Sequence, residues 1–420
     1  MLYERWRRVV EQNRAAVALC DLATGERWTF GELDAAAGKT PPTAGPVAFP
    51  QGISIGFVLE VLRAWKDGRP VCPLEAGQTP ARFAAVPAGC VHLKSTSATT
   101  GASKLIAFTA EQLLADVTNI VQTMGLRPDW PNLGVISLAH SYGFSNLVLP
   151  LLLCGIPLVL LESSLPEAVR RAATGFGPLT LPAVPALWRA WHDAGALASS
   201  VRLAISAGAP LPLPLEQAVF DASGIKIHNF YGASECGGIA YDSTAIPRTD
   251  GACVGSPMRN VQLSVHAGEG CLEVRSRAVG LTYWPNSHPN LTSGCYRTND
   301  LAELKDGAVF LRGRAGDLIN VAGRKVSPEI IERALLMHPQ LRECLVFGVP
   351  SSGKERSESI VACVVASGAA TAETLRRFLL ERLPAWQVPR EWVFVDSLAT
   401  NTRGKFSRAE WRQRHLGQGR

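Results

Sequence analysis

Between Val135 and Tyr231 short apolar runs alternate with helix-length amphipathic stretches, and this alternation limits the chain's possible folds more than any other feature. The runs are Val135 to Leu138, the stretch at Leu158, Leu179 to Leu181, Leu203 to Ile205 and Ile225 to Phe230. Strand and helix in regular succession argue for a largely parallel sheet with helices on both faces, because parallel neighbours need a crossover between them. Ligands of such sheets bind beyond the carboxyl ends of the strands. The segments expected there are Ala139 to Gly143, Ser206 to Pro210 and Asn229 to Gly232, so one pocket can be lined by all three.

A polar loop precedes this region. Thr96, Ser97, Thr99 and Thr100 supply hydroxyls, Gly101 permits close backbone approach, and Lys104 adds a compact positive charge. Those groups suit phosphate oxygens, and the G-x-x-x-x-G-K-[ST] spacing of a Walker loop is absent. A solvated turn has the same composition, so the loop alone leaves both readings open. The stretch from Ala110 to Met124 then reads as a helix.

At 420 residues the chain is long enough for more than one core. Upstream, Trp28 to Leu33 opens a short helix, Ile53 to Asp67 has helical spacing stopped by Gly68, and Val71 to Leu74 reads as a short buried strand. From about 251 to 314 the pattern shortens into strands such as Gln262 to His266, Cys271 to Arg275 and Ala308 to Leu311, suggesting a small β-barrel. Beyond Arg314 it changes again: a hairpin, a helix from Pro328 to Met337, strands at Glu343 to Gly348 and Ser359 to Ala366, a helix from Ala372 to Leu383, and a strand at Glu391 to Val395. The expected architecture is therefore α/β, with a large N-terminal domain of mainly parallel sheet over residues 1–314 and a small α+β domain over 315–420.

The net charge of +6 comes mostly from scattered arginines, whereas a nucleic-acid footprint needs clustering. The ten cysteines show no C-x-x-C pair and no zinc spacing, and most sit in apolar surroundings, as expected of reduced core thiols. Leu147 to Leu161 is apolar but too short for a span and broken by Pro150, Gly155 and Pro157; it reads as a helix ending at Gly155 followed by a strand. With no h-region at the N-terminus, a cytoplasmic address and no membrane insertion are expected.

Six segments in order resemble the adenylate-forming superfamily of acyl-CoA synthetases, aryl-acid ligases and luciferases. They are WTFGELD at Trp28, the loop at Thr96, YGASE at Tyr231, YRTNDL at Tyr296, GRAGDLINVAGRKVSPEIIE at Gly313 and NTRGKF at Asn401. The resemblance implies activation of a carboxylic acid by ATP to an acyl-adenylate, then transfer to the pantetheine thiol of CoA or an acyl carrier protein. It implies that the loop of Thr96, Ser97, Thr99, Thr100, Gly101 and Lys104 meets phosphate, that Gly208, Ala209 and Gly232 line the nucleotide, and that Tyr231 lies against adenine. Ser234 would reach phosphate where threonine is usual, and Glu235 would hold Mg²⁺. Asp300 corresponds to the carboxylate that accepts both ribose hydroxyls, Arg314 to the arginine of the ribose and phosphate region, and His140 to a pocket gate. Lys405 would reach from a mobile C-terminal domain to bridge substrate carboxylate and α-phosphate. That domain would swing about Gly316, where Asp or Lys is usual, and present Gly323 to the thiol channel.

The sequence departs from the family in length. Only about twenty residues separate Leu74 from the phosphate loop, so the N-terminal lobe is trimmed. Either part of the wall over the acyl pocket is absent or a second copy supplies it in a homodimer. No carboxylate lies between His140 and Asn146, where amino-acid-activating relatives anchor an ammonium, which favours an aryl or short acyl acid. Two alternatives stand beside the thioester ligase: a ligase that stops at the adenylate or uses another acceptor, and a catalytically idle nucleotide-binding scaffold.

Overall fold

A computed structural model of the chain describes residues 1–39, 45–80, 85–95, 104–161, 163–292, 294–351, 357–398 and 407–418. Its large sheet runs parallel through the strands Val17–Asp21, Leu158–Leu160, Asn132–Gly134, Leu179–Ala183, Val201–Ser206 and Ile227–Ala233, in that spatial order. Leu158–Leu160, Leu179–Ala183 and Val201–Ser206 at its centre are almost wholly buried, which is why they read as apolar runs. Trp188 and Trp191, on the helix Pro185–Asp193, are fully enclosed in the same core, as is Trp6 of the N-terminal helix Leu2–Asn13.

The strand expected at Val135 to Leu138 lies slightly earlier, at Asn132–Gly134. Apolarity there reports burial rather than pairing: the Val135 amide bonds back to the Leu133 carbonyl as the strand ends, and the Ser137 hydroxyl then accepts from the Ala139 amide. Trp28 likewise belongs to a strand, Arg27–Thr29, and the helix Phe30–Lys39 follows it. Thr29 and Glu32 exchange bonds across this start, the Thr29 amide to Glu32 and the Glu32 amide to the Thr29 hydroxyl. Val71 to Leu74 forms no strand, only single bridges at Val71 and Leu74, since Pro73 has no amide to continue a ladder. The helix Ala110–Met124 forms with the expected bounds, closed by a Thr109–Gln112 capping box and by Gly125 in the left-handed conformation. The apolar stretch from Leu147 splits as expected into a helix, Leu149–Cys154, capped by Gly155, and a strand. A π-helical turn, Phe144–Val148, precedes that helix.

After Ile227–Ala233 the sheet turns antiparallel through Gly237–Tyr241, Cys253–Pro257, Ala308–Arg314, Cys295–Lys305, Cys271–Arg275 and Gln262–Val265. The small β-barrel expected over 251–314 is thus an extension of the main sheet, and among the described residues no pairing closes it. Local strand length shows in the sequence, but closure depends on pairing between distant strands. A separate three-stranded sheet joins His92–Ser95, Leu105–Phe108 and Thr282–Trp284.

The C-terminal part has its own sheet, with Leu341–Pro350 antiparallel to Glu358–Ala366 and Glu391–Phe394 parallel to the latter. Cys344 and Val346 face the helices Pro328–Leu336 and Ala372–Leu380, while Leu345 and Phe347 pack with Trp411 of the final helix Arg408–Gln418. The helix Arg408–Gln418 was missed because its mean hydropathy is low and charged residues dominate it. All ten cysteines are free thiols, as the sequence suggested. Among the described residues no helix is long and apolar enough to cross a membrane.

Arg408 ties this final helix to the rest of the small domain. Its guanidinium meets Asp317 at 3.0 Å, Glu329 at 3.1 Å and Glu332 at 2.7 Å. Burial pushes the Glu332 carboxyl up from 4.5 to about 7, against the pull of Arg408. A carboxyl raised in the folded state binds its proton more tightly there than in the unfolded chain. Its stabilising contribution is therefore complete below 4.5 and is lost as pH rises through about 7. We expect the Tm to fall more steeply between these values in the wild type than in Glu332→Gln, by roughly 5 °C, as read by thermal denaturation across pH. Equal slopes would show that Glu332 is ionised throughout.

Candidate active site

The site forms where three loops leave the carboxyl ends of the parallel strands. Tyr142, just after His140, donates its hydroxyl to the Ile205 carbonyl at 3.3 Å, joining the first loop to the strand that feeds Gly208 and Ala209. Ser141 and Ser234 bring their hydroxyls to 3.0 Å, joining the first loop to the third. These bonds tie segment 139–143 to residues flanking 206–210 and 229–232, and Ser206 pairs directly with Asn229, so the three expected segments meet on one rim. The His140 imidazole accepts the Tyr142 amide at 3.2 Å and lines a narrow crevice with Pro73, Glu75, Gln78 and Ser95. Gly208 and Ala209 are exposed at the turn after Val201–Ser206, and Gly232 is exposed on the neighbouring strand.

Asp300 stands opposite. Arg314 is its Cα partner in the antiparallel ladder, which places the two side chains together: Arg314 Nε donates to Asp300 Oδ1 at 3.0 Å. The Tyr231 hydroxyl donates to Asp300 Oδ2 at 2.6 Å from across the sheet. The Asp300 carboxylate raises the Arg314 guanidinium above its ordinary range, and burial, reinforced by Asp300, pushes the Tyr231 phenol well above its own. Both oxygens thus hold one donor each and retain lone pairs for two more.

Glu235 follows the strand that bears Tyr231. Its Oε1 accepts the Tyr283 hydroxyl at 2.9 Å, and burial raises its carboxyl above the ordinary range despite that bond. Tyr283 sits on the strand Thr282–Trp284, which pairs with Leu105–Phe108, the strand after the polar loop. Lys104 Nζ lies 5.6 Å above the same Tyr283 ring. Tyr283 therefore joins Glu235 to Lys104, a link that sequence reading missed because Thr-Tyr-Trp looks like any strand. Among the described residues no group of three or more His, Cys, Asp or Glu converges to hold a metal alone. A single carboxylate fits instead a hard cation that takes its remaining oxygens from a phosphate substrate and water.

Thr96, Ser97, Thr99, Thr100 and Gly101 lie outside the described residues, as does Lys405. The strands on either side in sequence, His92–Ser95 and Leu105–Phe108, pair antiparallel with Ser95 opposite Leu105. Gly316 lies in the 3₁₀ turn Ala315–Asp317 immediately after Arg314. Gly323 sits at the exposed turn between Ile319–Val321 and Arg324–Val326, with φ of +88°.

Comparison with known proteins identifies the family. The AMP-binding enzyme family matches residues 76–284, and the AMP-binding enzyme C-terminal domain matches 330–405. A probable 2-succinylbenzoate–CoA ligase from Mycobacterium tuberculosis is 30% identical over 340 residues, covering 77% of this chain and 84% of that protein. A mitochondrial malonate–CoA ligase from Mus musculus is 26% identical over 366 residues, with 75% of this chain and 63% of the relative covered. The fold superposes on ATP-bound MatB from Rhodopseudomonas palustris with a TM-score of 0.87 at 20% identity, covering 100% of both chains. The chain belongs to the adenylate-forming acyl-CoA synthetases, enzymes that join an acid to a thiol with ATP.

Proposed function

We propose that this enzyme activates an aryl or short acyl acid as its acyl-adenylate and passes the acyl group to the pantetheine thiol of CoA. The observation that carries the reading is that Tyr231, Ser234 and Glu235 lie within five residues of chain while Tyr231 bonds to Asp300 and Asp300 to Arg314, which puts a diol acceptor, a carboxylate for a cation and phosphate donors on neighbouring segments. In this reading Asp300 accepts the ribose hydroxyls, Tyr231 backs the base beside Gly208, Ala209 and Gly232, and Glu235 carries Mg²⁺ to the phosphates. Ser234, Lys104 and the loop of Thr96, Ser97, Thr99, Thr100 and Gly101 hold those phosphates. His140 guards the acyl side. Lys405 supplies the ammonium that bridges the attacking carboxylate and the α-phosphate, which neutralises two anions in one step.

We place the domain boundary at Arg314 and Ala315. The main core ends with Val309 and the second begins with Ile319, so the linker carrying Gly316 falls between them. The acceptor follows the relatives, which are CoA ligases; a carrier protein presents the same thiol arm. A cytoplasmic enzyme without membrane insertion or nucleic-acid contact is the matching address, and a homodimer would be one way to complete the trimmed lobe.

Pyrophosphate exchange over a panel of carboxylic acids, including 2-succinylbenzoate, malonate, benzoates and short acids, tests the first step without the acceptor. Exchange with none of them refutes the reading. The second step is tested with Gly323→Leu, assayed with CoA and with a pantetheinylated carrier protein. Nothing lies within 4 Å of a Cβ at Gly323, so the start of an added side chain is not obstructed, although its positive φ costs about 1–2 kcal/mol. We expect exchange within about twofold of wild type and thioester formation down by about 100-fold, since only the second step would bring the hairpin to the thiol. Loss of both steps together would mark a folding defect, and loss of neither would remove Gly323 from the thiol path.

A further inference from the structure

A buried ion pair touches the strand Gly237–Tyr241, which follows Glu235, and the strand Leu105–Phe108. Lys94 is on the strand His92–Ser95, and its ammonium sits 3.5 Å from Asp116 of the helix Ala110–Met124. Both side chains are 2% exposed, so neither charge is relieved by solvent. The Ser145 hydroxyl bridges them, accepting from Lys94 at 3.2 Å and donating to Asp116 Oδ2 at 2.7 Å. The Phe108 ring covers the ammonium at 4.5 Å. The other carboxylate oxygen, Asp116 Oδ1, accepts the Gly238 amide at 3.4 Å, three residues after Glu235.

The sequence supports this contact from the opposite side. Gly237 has φ of +70°, and a Cβ there would lie 1.9 Å from Asp116 Oδ1, so the chain after Glu235 can approach the carboxylate only because it is glycine. Ser145 lies within the π-helical turn Phe144–Val148, where both Ser145 and Asn146 are buried. Such turns commonly mark functional sites. Cys236, between Glu235 and Gly237, is fully buried; burial foremost, then the Glu235 and Asp116 charges, holds its thiol well above the ordinary range, while Lys94 pulls the other way.

A pair so deeply buried is a weak source of stability, because desolvating two charges offsets most of their attraction. Its value here is geometric. We propose that Lys94 and Asp116, bridged by Ser145, are positioning residues that fix the backbone bearing Glu235 against the paired strands His92–Ser95 and Leu105–Phe108, and so set how the carboxylate meets a divalent cation on the nucleotide. None of the three touches nucleotide or acid in this assignment. The inference rests on the assignment of Glu235 as the cation ligand.

The test uses full-length protein, Mn²⁺ as the cation and a non-hydrolysable ATP analogue, with Mn²⁺ affinity read by calorimetry and Tm read in parallel. The double variant Lys94→Met/Asp116→Asn removes both charges at nearly constant volume. We expect its Tm to stay within a few degrees of wild type while Mn²⁺ affinity falls about tenfold, the size of effect typical of groups that orient a metal ligand. Ser145→Ala, which keeps both charges and deletes only the bridge, should shift affinity in the same direction, and it serves if the double variant fails to fold. Glu235→Gln is the reference. If Glu235→Gln weakens Mn²⁺ binding and neither Ser145→Ala nor a folded double variant does, the positioning role is refuted and Glu235 stands. If Glu235→Gln leaves the affinity unchanged, both assignments fall together.

Discussion

We expect Lys405→Ala to lower pyrophosphate exchange by about 10²–10³-fold while ATP affinity stays within about threefold of wild type. The step that forms the adenylate brings a carboxylate against a polyphosphate, two anions whose repulsion is greatest as the new bond forms. An ammonium on a flexible stem can reach both oxygens at that moment and contributes little before it. Lys405 lies outside the described residues, but the chain is anchored three residues later, where Arg408 is gripped by Asp317, Glu329 and Glu332. Asp317 directly follows Gly316, so this anchor links the Lys405 segment to the linker between the two cores. Calorimetry with the ATP analogue separates binding from chemistry. Exchange within tenfold of wild type in the variant would remove Lys405 from the reacting centre. An equal loss of binding and exchange would place it on the nucleotide instead.

The sequence carried much of this architecture because burial leaves a pattern. The parallel strands are apolar on both faces, and the helix Ala110–Met124 announces both ends through Thr109, Gln112 and Gly125. What the pattern cannot carry is partnership between distant residues. Val135 to Leu138 is as apolar as a strand, yet the Val135 amide bonds back to the Leu133 carbonyl and the segment leaves the ladder. The strands after residue 251 show their lengths but not that they extend the main sheet.

The site divides along the same line. Glu235, Asp300 and Arg314 stand in motifs that the sequence shows directly, and the proposed assignment takes them from there. Tyr283 reaches Glu235 from 48 residues away and Asp116 reaches Gly238 from 122, and neither separation has a sequence signature. Lys94 was the least legible of all. A lysine in an apolar run reads as a surface charge, and only the positions of Asp116 and Ser145 show that it is buried and paired.

We expect Asp300→Ala to raise the KM for ATP by about 100-fold or more, since on the proposed assignment two charge-assisted hydrogen bonds to the ribose are each worth roughly 1.5–3 kcal/mol. The carboxylate is held in place on both oxygens, Oδ1 by Arg314 at 3.0 Å and Oδ2 by Tyr231 at 2.6 Å. A diol meeting a carboxylate fixed in this way loses little further freedom, so most of the interaction appears as affinity. Truncation also leaves the Arg314 guanidinium without its ladder partner, and the Tyr231 hydroxyl without its acceptor. The mutant KM alone would therefore mix lost ribose contact with a disturbed site. Comparing ATP with 2′,3′-dideoxy-ATP separates the two: wild type should discriminate against the analogue by roughly the factor that the mutation costs, while Asp300→Ala should treat both nucleotides nearly alike. Tyr231→Phe, which removes one of the two bonds holding the carboxylate, should keep the discrimination and weaken binding only several-fold. If Asp300→Ala still prefers ATP as strongly as wild type does, the ribose is held elsewhere, and the bonds at Asp300 serve only to tie the ladder to the Tyr231 strand.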